Sequence, residues 1–200
     1  MLVLGIDPGT ATTGYGVVRR DRAGLVQLVE CGVVRTRARD PLPARLREIY
    51  EGVRELIARH QPDALAVESI FYAKNVRTTV TLGHARGVIL LAGELAGLAV
   101  YEFPPAEIKK AVVGTGAATK EQVQFMLARL LRLKAVPSPS DAADGVAAAL
   151  TFCMAPRLPN AAVGAASGVD ASSDPTVRAL EARARRELAA IPTQVPEKHR

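Results

Sequence analysis

The stretch Leu2-Val3-Leu4-Gly5-Ile6-Asp7-Pro8-Gly9-Thr10 constrains the fold more than any other part of the chain. Four large aliphatic residues and one glycine make a short apolar run that suits a buried strand. Asp7 arrives where the run stops. Pro8 has no N–H to give to a sheet, and Gly9 permits a tight turn. The pattern therefore puts a carboxylate at the end of a core strand, beside a loop rich in backbone N–H groups. Such a place suits a metal ion or a phosphate. Taken alone, Asp7 would serve equally well as an Asx-turn residue, so its role depends on the rest of the chain.

Gly14 to Val18 reads as a second strand and Leu25 to Val34 as a third, with Ala23-Gly24 as the turn between them. Short links between three consecutive strands predict an antiparallel meander. From Pro41 the period changes: Leu42, Leu46, Ile49, Val53, Leu56 and Ile57 mark one face of a helix that ends at Gln61-Pro62-Asp63. Ala64 to Val67 is a short buried strand, and it too ends on an acid, Glu68. A second helix is expected from about Asn75 to Ala96, with Gly83 and Gly87, and Gly93 and Gly97, spaced by four. Small residues at that spacing serve either packing on the sheet or a helix contact between subunits. Val100 to Phe103 is the next strand. Lys109-Lys110 and Gly114-Thr115-Gly116 are read as part of the loop that follows. Thr119 is placed as the cap of a third helix, and Ser138 as the cap of a last helix running to about Cys153. The order predicts an α/β fold, a mixed sheet of an antiparallel meander plus parallel strands, with helices on both faces.

The chain has 200 residues and a formal charge of +6, enough for one ordinary core and a modestly basic surface. Cys31 and Cys153 lie in apolar surroundings without metal-ligand spacing, and are expected as buried free thiols of a reducing, cytoplasmic protein. No secretory signal or membrane-spanning segment is expected. From Arg157 the composition turns to Ala, Gly, Ser, Asp and Pro, so residues 157–200 read as a flexible, disordered C-terminal tail behind a folded domain of residues 1–156.

Four acids stand out. Asp7 and Glu68 end core strands, while Asp141 and Asp144 are three apart in the first turn of the last helix and share a face. Each has an ordinary use by itself: Asp141 as a complement to the helix dipole, Asp144 as a solvated residue, Glu68 as a partner for a lysine. Brought together, four carboxylates repel, and divalent cations relieve that repulsion. An all-oxygen donor set favours Mg²⁺ or Mn²⁺ over zinc. Two such ions can activate water and clamp a phosphodiester for in-line attack.

Gly5-Ile6-Asp7-Pro8-Gly9, Glu68 followed by Phe71-Tyr72-Ala73-Lys74-Asn75, Val112-Val113-Gly114-Thr115-Gly116 with Lys120, and Asp141-Ala142-Ala143-Asp144 resemble the motifs of the RuvC Holliday-junction resolvases, in the same order. The resemblance covers roughly the first 155 residues. It implies an RNase H-like fold, a homodimer, and a Mg²⁺- or Mn²⁺-dependent endonuclease with two ions per site and Asp7, Glu68, Asp141 and Asp144 as its catalytic and metal-binding acids. It further implies four-way junction DNA as substrate, paired nicks in opposed strands during recombination and repair, and cooperation with a branch-migration motor. Phe71 corresponds to the family's aromatic at the junction core, and Lys109 and Lys120 to its important lysines. The residues themselves agree: Phe71, Tyr72, Lys74, Asn75 and Arg77 combine aromatic and basic groups, which suits unstacked bases and their phosphates. Lys110 and Arg86 read better as solvated surface charges. Two rivals are an actin-like ATPase, for which the chain is too short, and a catalytically silent junction-binding module, which would not need all four acids.

Overall fold

The computed structural model describes residues 1–69 and 76–155. Strands β1 (Leu2–Asp7), β2 (Thr12–Arg20) and β3 (Val26–Arg35) form the expected antiparallel meander. Helix α1 (Leu42–His60) leads to β4 (Ala64–Glu68), and α2 (Val76–Leu95) leads to β5 (Ala99–Phe103). β4 lies parallel to β1 on one side and to β5 on the other. The strand order is β3-β2-β1-β4-β5, with β1 in the middle. Helices α3 (Pro105–Val113), α4 (Lys120–Leu130) and α5 (Ser140–Met154) complete the described chain.

The alternation of side chains along each strand divides the core into two layers. Leu4, Ile6, Leu65, Val67 and Val100 face α1 and α2, where Ile49, Val53, Leu56, Ala85 and Ile89 meet them. Val3, Ala66 and Phe103 face α3, α4 and α5, where Ile108, Val112, Val123, Leu127, Val146 and Leu150 close the other layer. In β2 the neighbours Val17 and Val18 enter opposite layers at the point where the β2–β3 register shifts.

Three expectations need correction. Lys109 and Lys110 lie on α3, not in a loop: Pro105 occupies the first turn with Glu107, Ile108 and Val112 recur at helical spacing, and Gly114 ends the helix with φ 92°. Ser138 does not cap α5; Pro139 holds the N-cap position and makes no side-chain capping bond. Cys31 is only half-buried, unlike Cys153. Phe71, Tyr72, Lys74 and Asn75, and the tail expected from residue 157, lie outside the described residues.

Candidate active site

β1 ends on Asp7 at the centre of the sheet, and β4 ends on Glu68 beside it, because the two strands run parallel with Ile6 opposite Val67. Gly9 closes the turn after Asp7. A Cβ there would collide with the carbonyl of Thr12, so glycine is required by space. The turn is then pinned from two sides. The Thr13 hydroxyl donates to the Gly9 carbonyl at 2.6 Å, and the Thr36 hydroxyl donates to the Thr10 carbonyl at 2.5 Å. Sequence reasoning singled out neither threonine; only the β2–β3 register brings Thr36 to this turn.

The helical acids arrive from above. α5 rests on β1 and β2 through glycine: a Cβ on Gly145 would stand 2.6–2.7 Å from the backbone of Tyr15, and one on Gly14 would strike the Asp141 carbonyl. The approach brings Asp141 and Asp144 down to Asp7. One carboxylate oxygen from each of Asp7, Asp141 and Asp144 lies within 4.8 Å of the others. Glu68 lines the same cleft of about 240 Å³ as Asp7 and Asp144, together with Lys109, Lys120 and the apolar Ile108 and Val123.

Lys120 owes its place to the helix start. Thr119 and Gln122 form a capping box, the Gln122 N–H donating to Thr119 Oγ1 and the Thr119 N–H to Gln122 Oε1 at 2.8 Å. The box leaves Lys120 as the first residue of α4, where its ammonium donates to Asp144 Oδ2 at 2.7 Å. Lys109 projects from α3 into the cleft. Arg77 opens α2 and is exposed. Arg86 is not a free surface charge: its guanidinium makes two hydrogen bonds of 2.6 Å to Glu102 on β5.

The acids are held in a costly state. Burial, then the charges of Glu68, Asp144 and Asp141, push the Asp7 carboxyl up to about 8, with Lys120 opposing. Burial and Asp144 push Glu68 up to about 7, against Lys120 and Lys109. Burial raises Asp144 in spite of its bond to Lys120. Burial acts to lower the Lys120 pKa, yet the bond and charge of Asp144 more than offset it, so the ammonium stays protonated. The donor atoms of the cluster are all carboxylate oxygens, the set that suits a hard cation such as Mg²⁺ or Mn²⁺. A cation would offset both the burial and the mutual repulsion that raise these groups.

A family described as "Crossover junction endodeoxyribonuclease RuvC" matches residues 3–152. The crossover junction endodeoxyribonuclease RuvC of Chloroflexus aggregans is 52% identical over 150 residues, covering 75% of this chain and 91% of its own. That of Syntrophomonas wolfei is 48% identical over 158 residues, covering 79% and 91%. Among solved structures, Thermus thermophilus RuvC in complex with Holliday junction substrate superimposes with a TM-score of 0.73 at 38% identity, covering 77% of this chain and 93% of that one. The yeast mitochondrial Holliday junction resolvase, at 13% identity and a TM-score of 0.59, shares the fold.

Proposed function

The chain belongs to the RuvC family of crossover junction endodeoxyribonucleases, and from that premise we propose that its four-acid cleft cuts opposed strands of a four-way DNA junction. The observation that carries the proposal is the convergence of Asp7, Asp141 and Asp144 within 4.8 Å, at the mouth of a cleft shared with Glu68, Lys109 and Lys120. Asp7, Glu68, Asp141 and Asp144 would hold two Mg²⁺ ions, or Mn²⁺ in their place. The ions when bound supply an activated water and charge stabilisation at the leaving 3′ oxygen. Lys120 holds Asp144 in position and balances part of the acids' charge. Lys109 and Lys120 meet the phosphates entering the cleft. The segment Phe71, Tyr72, Lys74, Asn75 and Arg77, which follows Glu68, stacks on unpaired bases and holds their phosphates.

The active form is a homodimer, whose two-fold axis matches that of the junction and supplies one site per opposed strand. Helix α2 supports this reading. Its outer side leaves Val76, Val80, Leu91 and Leu95 more than half exposed, and Cβ positions on Gly83 and Gly87 meet open space. Gly93, by contrast, packs on Leu65 and Val100 of its own sheet. Among the described residues no helix is long and apolar enough to cross a membrane. The protein works in the cytoplasm alongside a branch-migration motor.

The test is a synthetic four-way junction with each strand end-labelled in turn, incubated with the full-length protein with and without Mg²⁺ or Mn²⁺. Expected are symmetrical nicks in two opposed strands that leave ligatable 5′-phosphate and 3′-hydroxyl ends, only with metal. Absence of cleavage in both metals, or equal cleavage of linear duplex, refutes the proposal.

A further inference from the structure

We infer that the arginine segment from Arg35 to Arg45 is a second DNA-binding surface, one that holds the phosphate backbone of a duplex arm beyond the scissile site. The inference rests on the nuclease reading above. Residues 35–45 carry Arg35, Arg37, Arg39 and Arg45 against one acid, Asp40, a net of +3 in a chain whose total is +6. Arg35, Arg37 and Arg39 are exposed. None of them has an ion-pair partner among the described residues. Arg47, the next arginine, has one within its own helix in Glu51 at 3.8 Å.

The position of the segment matters more than its charge. Another basic group, Arg19, Arg20 and Arg22, lies at the opposite end of the sheet, mixed with Asp21 and Asp63. Arg35 instead ends β3 at the catalytic end, opposite Thr12 on β2, two pairs beyond the Gly14–Val33 pair that continues the Asp7–Gly14 pair. At about 4.8 Å between strands and about 3.4 Å per residue, its Cα stands roughly 12 Å from that of Asp7. One strand of duplex advances about 3.4 Å per nucleotide, so the segment meets phosphates on the order of three to four nucleotides from the cut.

The segment is also fixed to the catalytic turn. The Thr36 N–H donates to the Ala11 carbonyl at 3.1 Å, and the Thr36 hydroxyl to the Thr10 carbonyl. Arg45 Nε donates to Thr36 Oγ1 at 3.0 Å, which joins α1 to the same anchor. Arginines built onto the turn that follows a catalytic acid hold the duplex in register with that acid. Their contacts go to the backbone, so they carry no sequence preference. They lie across the sheet from the cleft lysines on α3 and α4, so the duplex is gripped on both sides of the cut.

The test uses the full-length protein carrying Arg35→Gln, Arg37→Gln and Arg39→Gln together, in EDTA so that binding is read without cleavage. Fluorescence anisotropy on a labelled junction follows Kd against salt. Loss of three phosphate contacts in each subunit of the dimer is expected to reduce the slope of log Kd against log salt by about 5. The variant's deficit is expected to shrink as the junction arms are shortened toward a few base pairs. An unchanged slope overturns the inference, and so does a deficit that is the same on long and short arms. Unchanged thermal melting confirms that the exposed substitutions left the fold intact. A wild-type protein that neither binds nor cuts junctions fails the nuclease reading first; a wild type that does both beside a variant of unchanged slope fails the arginine surface alone.

Discussion

Asp7→Asn is expected to make the metal-free protein more stable while abolishing cleavage. The wild-type carboxyl is raised from 3.8 to about 8 in the folded state. Between those values the folded chain keeps a proton that the unfolded chain has lost. Stability therefore falls as pH rises through this window, and the whole cost is present above about pH 8. The distance from 3.8 to about 8, at ~1.4 kcal/mol per pH unit, sets a ceiling of ~6 kcal/mol. Asparagine removes the charge but still buries an amide, which returns ~1–3 kcal/mol of that gain. The net expectation is a gain of ~3 kcal/mol at pH 8.5 that turns into a deficit of ~1–2 kcal/mol at pH 4, where the carboxyl is already neutral and the amide's cost stands alone. For a domain of this size that is a rise in melting temperature of roughly 6–12 °C at pH 8.5. Mg²⁺ closes the gap, because ions bound by the folded wild type alone add ~2.7 kcal/mol at a hundredfold excess over Kd. The measurement is thermal melting of both proteins in EDTA from pH 4 to pH 9, repeated in Mg²⁺, beside junction cleavage. An asparagine variant that is less stable at pH 8.5, or a gap that does not change with pH, refutes the electrostatic account of the site. Cleavage at the wild-type rate refutes the role of Asp7.

Gly87→Leu places a large side chain on the open face of α2, and sedimentation velocity is expected to show a shift from dimer to monomer with paired nicks replaced by single ones. A wild type that is monomeric at micromolar concentration removes the basis for that expectation. Phe71→Ala is expected to melt with the wild type yet lose ~1–3 kcal/mol of interaction with an unstacked base, seen as weaker junction cleavage; an unstable but fully active variant would make Phe71 a core residue. Truncation after Asn160 is expected to leave melting and cleavage unchanged, and a large fall in melting temperature would mean that the tail docks on the domain.

Much of this structure could be read from residue order because its strands obey local rules. Leu2–Asp7 and Ala64–Glu68 are short apolar runs stopped by an acid, and the structure ends both strands at those acids. Thr119 was legible as the cap of its helix, and the structure adds Gln122 to make a capping box. The helix at Pro105–Val113 was hidden by its neighbours. Pro104-Pro105 and Gly114-Thr115-Gly116 carry loop chemistry, and their signal outweighed the spacing of Ile108 and Val112. Ser138 offered a good capping side chain, but the helix begins two residues later at Ser140. Long-range facts had no local sign at all. The Lys120–Asp144 bond and the Arg86–Glu102 pair join residues 24 and 16 positions apart, and nothing in either neighbourhood selects the partner.

The spacing of the acids shows the same division most sharply. That Asp141 and Asp144 share a helix face follows from their separation in sequence. How near that face comes to Asp7 depends on the distance between α5 and the sheet. Helices ordinarily stand off a sheet by the length of intervening side chains. Here Gly145 of α5 sits on the Tyr15 backbone, and Gly5, Gly14 and Gly16 of the strands leave no Cβ between helix and sheet. Each glycine read separately looks like a weak strand or helix residue. Together they remove a layer of side chains where the acid-bearing helix crosses the central strands, and this brings carboxylate oxygens of three acids within 4.8 Å. The stability that the strands forgo by using glycine is thus tied to the acid cluster: a larger residue at any of these crossings would lift α5 and separate Asp141 and Asp144 from Asp7.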